Sequence, residues 1–292
     1  MLGNKKLGLY KSSIPSIDEG WTRWVLEKGP CLEYENLVDK EIRDDHLNQK
    51  VPPKRNAYEM VNGKGSPAKY PVIIFPDQSP NQILNGYAKG TMPDEYVGGV
   101  GKEGVENLKK FVEAGGTLVF LNRASDFAIE QFGLPIKDVT QGLARKDFYI
   151  PGSILRTELD TTSPIAKGMP AESIAWFENG PAFEVDKDAL DATGGNATVT
   201  ERAPTGPDDT SGQGRGTLPN GRVSARIVAK YPADASKILL SGWALGAEKI
   251  AGKAALVEVT YGKGKIILFG FRPQYRGQSL ATFPLFFNAI SQ

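Results

Sequence analysis

Asn122, Arg123, Ala124, Ser125 and Asp126 stand between an apolar run and an amphipathic one in GGTLVFLNRASDFAIEQFG, Gly115 to Gly133. That order reads as a buried strand, a tight turn and a helix. Enzymes that work through a covalent intermediate place the nucleophile at such a turn, exposed above the sheet. Here Ser125 with Asp126 would be the nucleophile and its acid. A serine needs a base to take its proton, and the chain has one histidine, His46. It lies in DKEIRDDHL, a charged stretch of surface-helix character, where a solvated role is the better reading. A lysine base is not placed at the turn either, since no Ser-x-x-Lys spacing occurs there. The turn is therefore expected in outline, without an activated nucleophile.

The other reactive residue types are equally sparse. Cys31 is the only cysteine, so no internal disulfide can form. It sits between Pro30 and Leu32, without the strand-turn-helix setting of a catalytic thiol, and reads as a small apolar residue. One histidine cannot build a zinc peptidase site that uses two, and no metal or cofactor is expected. GVGKEG, Gly99 to Gly104, fits the dinucleotide pattern G-x-G-x-x-G. A loop precedes it rather than a strand, so its glycines are read as easing entry into a helix.

Open α/β sheets bind ligands beyond the carboxyl ends of their strands. Four strand ends bring polar groups there: Lys11, Ser12 and Ser13; Asp77, Gln78 and Ser79; Asn122, Arg123, Ser125 and Asp126; and Arg272, Gln274, Arg276 and Gln278. A rim pocket made of Lys11, Asp77, Gln78, Asn122, Ser125, Asp126, Arg272 and Arg276 could hold a carboxylate, an amide or a sugar on arginine forks. The plainer alternative is that these groups cap helices and tie loops together, with Arg272 or Arg276 paired to Asp77 or Asp126.

The elements that must position these groups follow from periodicity. KLGLYKSSI, CLEYENLV, YPVIIFPDQS and TLVFLN read as strands, the last two continuously apolar as in a parallel sheet. Ser16 and Glu19 have the spacing of a capping box, which starts a helix carrying Trp21, Trp24 and Val25 on one face, with the tryptophans packed on the sheet. Val105, Leu108 and Val112 stripe a second helix, ended by Gly115 and Gly116. Ser79 to Gly101 reads as a loop, and 51–69 as a Pro- and Lys-rich surface insertion. After Gly133 short strands without long helices form a β-rich excursion over 136–230, interrupted by a flexible stretch at 191–221 rich in Gly, Pro, Thr and Asp. AALVEVTYGKGKIILFGF is a hairpin, and SLATFPLFFNAI a closing helix. The expected whole is one α/β domain over 1–292, with a mostly parallel sheet.

A net charge of +1 over 292 residues favours neither nucleic acid nor an anionic membrane. No apolar run is long enough for a membrane span. MLGNKKLGLY lacks the apolar core of a signal peptide, so either the protein stays in the cytoplasm or a leader lies upstream.

GLYKSSIPSIDEGWTRWVLE, VIIFPDQSPNQILNG, GVENLKKFVEAGGTLVFLNRASDFAIEQFGLP, PGSILRTELDTTSPIAKGMP and GKGKIILFGFRPQYRGQSLATFPLFFNAI together resemble the C-terminal region of bacterial zinc-carboxypeptidase-family proteins, the carboxypeptidase A-like metallopeptidases. The resemblance spans nearly the whole chain, apart from the stretches near Val51 and Gly194. In that family a flavodoxin-like, class I glutamine-amidotransferase-like domain follows the peptidase domain. The resemblance implies an exported parent enzyme, an upstream peptidase domain as partner, and a peptide or glycan as ligand. It carries over no catalytic residue. The peptidase histidines are missing, and the amidotransferase cysteine and histidine are not at the turn. The expected function is thus a non-catalytic accessory domain. A hydrolase using Asp77, Ser125 and Lys11, or a structural or oligomerisation module, are the alternatives.

Overall fold

VIIF and TLVFL have no polar position to turn toward water, and both become strands buried along their whole length. A computed structural model of the chain describes residues 6–29, 32–48, 69–190 and 223–292. Cys31, the 191–221 stretch and all of the expected insertion but Lys69 lie outside them. In chain order the elements are β1 (Leu7–Lys11), α1 (Ile17–Lys28), β2 (Tyr34–Val38), α2 (Asp39–Arg43), β3 (Val72–Phe75), α3 (Pro80–Asn85), α4 (Gly101–Glu113), β4 (Thr117–Leu121), α5 (Ala124–Phe132), β5 (Ile136–Asp138), β6 (Pro151–Leu159), β7 (Glu172–Glu178), β8 (Phe183–Val185), β9 (Ser224–Lys230), β10 (Leu239–Ser241), β11 (Ala254–Tyr261), β12 (Gly264–Phe269) and α6 (Phe283–Ile290).

All twelve strands join one sheet. Its first half runs β2-β1-β3-β4-β12 and every pairing in it is parallel. This is a flavodoxin-like order within an α/β fold. Helices cover both faces of this half. Val25 and Leu26 of α1 and Leu285 and Phe286 of α6 share one apolar core with Leu7, Leu9 and Ile74. Ile42 of α2, Leu108 of α4 and Phe127 of α5 share the other with Tyr10, Ile73 and Phe120. Beyond β12 the sheet continues antiparallel through β11, β9, β6 and β10. Here β6 alternates buried and half-exposed residues, as expected where one face meets water. The β-rich segment after Gly133 therefore extends the same sheet. The β11–β12 hairpin turns through Gly262 and Lys263, with Gly262 at φ +61°.

Two local expectations need correction. The segment after Ser79 is not all loop. The Ser79 hydroxyl accepts from the Gln82 N–H, and the Gln82 side chain accepts from the Ser79 N–H, a capping box that starts α3 with Pro80 in its first turn. On α1 the tryptophans are not core residues. Trp24 is 43% exposed and Trp21 half-buried. The buried face carries Asp18, Thr22, Val25 and Leu26, because the helix leans its polar start against the strand ends. Among the described residues, no helix is long and apolar enough to cross a membrane.

Candidate functional site

The parallel pairing puts the carboxyl ends of β1, β3, β4 and β12 on one edge of the sheet. The turn after β4 is made by Asn122, at φ +53°, a left-handed conformation that asparagine tolerates better than most residues. Its carbonyl accepts from the Ser125 N–H and so opens α5. Asn122 thus occupies the exposed-nucleophile position of such turns, yet it is 1% exposed. Its Nδ2 donates to Asp77 Oδ1 at 3.2 Å. Its Oδ1 has no hydrogen-bond partner and lies against Gly180, where a Cβ would overlap both that oxygen and the Gly270 carbonyl. Backbone therefore covers the turn.

Asp77 is the anchor of the edge. Arg123 meets it as a fork, Nε to Oδ1 and Nη2 to Oδ2, each at 2.9 Å, and adds its own backbone N–H at 3.1 Å. The Asp77 carbonyl accepts from the Ser16 hydroxyl, which fastens the start of α1 to the end of β3. Arg272 is buried and stands 3.9 Å from Asp77, but its close partners are Asp18 at 3.1 Å and Glu178. It also lies over the Tyr275 ring. Burial pushes the Asp18 carboxyl up, and the Arg272 guanidinium opposes that shift. Bidentate and charge-assisted contacts of this kind are strong and fix geometry.

The expected rim residues therefore divide. Asp77, Asn122 and Arg272 meet as one network, with Arg123, Asp18 and Glu178 completing it. Ser125 does not join. It is fully buried and its hydroxyl donates to the Phe269 carbonyl at 2.9 Å, because its position on α5 faces the sheet. Arg276 is exposed, with its guanidinium over Tyr275. Lys11 and Gln78 border a separate cavity at the end of β1, where Gln78 donates to the Ile14 carbonyl at 3.1 Å. Asp126 pairs with neither arginine of the β12 end. Burial first, then the charges of Asp138 and Glu130, push its carboxyl up to about 8, against the pull of Arg123. Asp18 could have been suspected as an acid in a first helical turn at this edge. Glu178 carried no sequence signal, since its partner is 94 residues away.

A second cavity, of about 410 Å³, is bordered by Gly180, Asn179, Phe148 and Tyr149. Arg145 lies over the Tyr149 ring at 4.2 Å and donates to its hydroxyl at 2.7 Å. His46 is half-buried, 3.9 Å from Glu41 and on a different element from Ser125. Among the described residues, no group of three or more His, Cys, Asp or Glu is placed to hold a metal ion.

No known family model and no curated protein matches the chain. Solved structures do. A cytoplasmic protein from Salmonella typhimurium is similar over 98% of both chains, at TM-score 0.48 and 13% identity. A ThuA-like protein from Bacteroides uniformis is similar at TM-score 0.43 and 12% identity, over 98% of this chain and 89% of that one. A glutamine amidotransferase from Thermotoga maritima is similar at TM-score 0.43 and 7% identity, over 96% of this chain and 80% of that one. The export implied by the sequence resemblance came from the family alone, which no family model or curated protein supports, and it is set aside. At these identities the likeness concerns the fold alone, and the flavodoxin-like order rests on the strand pairing itself.

Proposed function

We propose that this chain is a non-catalytic, amidotransferase-like accessory domain that docks on a catalytic partner or binds its substrate. The observation that carries the reading is the turn after β4. The nucleophile position holds Asn122, buried, bonded to Asp77 and roofed by Gly180. Catalysis at such a turn needs an exposed nucleophile with a base in hydrogen-bond reach. The hydrolase alternative loses its geometry as well, since Ser125 spends its hydroxyl on Phe269 and Lys11 borders another cavity. Docking has its own support. The edge strand β10 is exposed throughout, and Leu240 and Trp243, the latter 63% exposed, form an apolar border with an open strand edge. The sequence resemblance offers a zinc carboxypeptidase domain as the partner, with a peptide or glycan as the shared ligand.

The test joins turnover to association. The purified chain is assayed for ammonia release from glutamine, for ester hydrolysis and, with added zinc, for release of C-terminal amino acids from peptides. Rates equal to the blank are expected. In sedimentation velocity it is mixed with a purified bacterial zinc-carboxypeptidase domain, where a faster complex is expected that a Trp243→Ser, Leu240→Lys variant does not form. Turnover that disappears in Ser125→Ala would overturn the reading. Self-association through the same border, without a mixed complex, would replace it with the oligomerisation module.

A further inference from the structure

The strand order places a second feature on the same edge. From β1 the chain crosses to β2 on one side, then returns past β1 to β3 on the other. The two crossovers pack on opposite faces, α1 in one core and α2 in the other. Between β1 and β3 the order reverses, and open α/β sheets keep a crevice beyond the strand ends at such a point. The crevice is present as a cavity of about 220 Å³, bordered by Lys11 at the end of β1 and Ser13 after it, Gln78 after β3, and Glu19 and Arg23 on α1.

Its chemistry is incomplete in a particular way. Glu19 is 8% exposed, and its Oε1 has no hydrogen-bond partner. Among the described residues its Oε2 has one ion-pair contact, Arg23 at 3.7 Å, beyond hydrogen-bond length. Buried carboxylate oxygens are ordinarily satisfied by donors, and leaving one bare is costly. Glu19 also helps to form the α1 start, its N–H donating to the Ser16 hydroxyl, so its backbone is fixed in place. Two cations, Lys11 and Arg23, border the same cavity, and Lys11 makes no ion pair among the described residues. A buried carboxylate held only by a 3.7 Å contact to Arg23, with its other oxygen bare, stands beside a lysine that has no ion pair among the described residues; a ligand bringing both an ammonium and a carboxylate would complete them.

We propose that the crevice between β1 and β3 binds a free α-amino acid, with its ammonium on Glu19 and its carboxylate on Lys11 and Arg23. The volume suits a molecule of that size and excludes a folded partner. The site deepens the binding half of the proposed function, but it shares no residue with the β4 turn. Turnover at that turn would sink the non-catalytic reading and leave this site standing.

The experiment is a calorimetric titration of the full chain with alanine, glutamate and lysine as probes, beside N-acetylalanine, alanine amide and inorganic phosphate. At least one free amino acid is expected to bind. The analogues lacking ammonium or carboxylate should bind at least tenfold more weakly. Glu19→Gln keeps the shape of the side chain and removes its charge, and should weaken the bound amino acid by about tenfold or more, as loss of a charge-assisted hydrogen bond requires. Lys11→Ala, an exposed change, should weaken it in a folded protein whatever Glu19→Gln does to stability. Absence of binding by all three amino acids at 10 mM, an ammonium-independent anion response, or unchanged affinity in both variants would each overturn the proposal.

Discussion

The turn after β4 and the crevice between β1 and β3 lie on the same sheet edge and draw on the same residue types, yet they are in opposite states. At the turn every strong charge is answered. Asp77 takes four hydrogen bonds, three of them from Arg123, and Arg272 takes Asp18 and Glu178. Backbone from the 178–181 and 270 segments closes over it. At the crevice Glu19 reaches only Arg23, at 3.7 Å, and Lys11 makes no ion pair among the described residues, around an open volume. Polar residues at a strand end are thus weak evidence of a site. What separates scaffold from site is whether the protein itself has met each charge at close range and closed over it.

The contrast breaks first at Arg272. If the turn is scaffold, Arg272→Ala leaves Asp18 buried without its cation, which costs about 3–5 kcal/mol and lowers Tm by roughly 2–4 °C for each kcal/mol. Thermal denaturation measures it, and a stable variant would return Arg272 to the list of ligand groups. Gly180→Ala comes next. Its new methyl meets Asn122 and the Gly270 carbonyl, and overpacking of this kind costs about 1–3 kcal/mol. An unchanged Tm would mean that the roof over the turn is loose. Asp126→Asn should be smaller and of opposite sign. Its carboxyl titrates at about 8 in the fold, against about 3.9 in the unfolded chain. Between those values the native state holds a proton that the unfolded state has lost, so stability falls as pH rises through this window and the full penalty applies above it. The variant should be more stable than the parent at pH 9, by several degrees, and almost unchanged at pH 4. Equal shifts at both pH values in scanning calorimetry would refute the assignment.

The sequence announced the parallel half of the sheet because β3 and β4 have no polar face and α4 has a clean stripe at Val105, Leu108 and Val112. The Ser16 cap was equally legible, since capping is a local event, but only half of the expected capping box forms: Ser16 accepts from the Glu19 N–H, while Glu19 Oε1 stays without a partner. Side-chain partners were not. Periodicity says that Ser125 is near a strand end, but not that its hydroxyl turns inward to Phe269, 144 residues on. Arg272 finds Asp18 across 254 residues, and no local pattern encodes that choice. The two tryptophans of α1 misled for a related reason: bulk suggested the core, while the helix spends its inner face on Asp18 and Thr22. The crevice was half visible, as Lys11 and Gln78 at strand ends, but Glu19 had already been explained as a cap.

The place of β12 has a consequence for how the chain reaches this fold. β12 lies between β4, made of residues 117–121, and β11, and among the described strands it alone joins the parallel and antiparallel halves. On a ribosome, TLVFL must wait with one hydrogen-bonding edge bare until residue 269 has been made. Non-local pairings of this kind fold slowly, and bare apolar edges aggregate meanwhile. The nascent chain should therefore need shelter late in its synthesis, with β11 and β12 zipping first as a hairpin and then closing the sheet in one step.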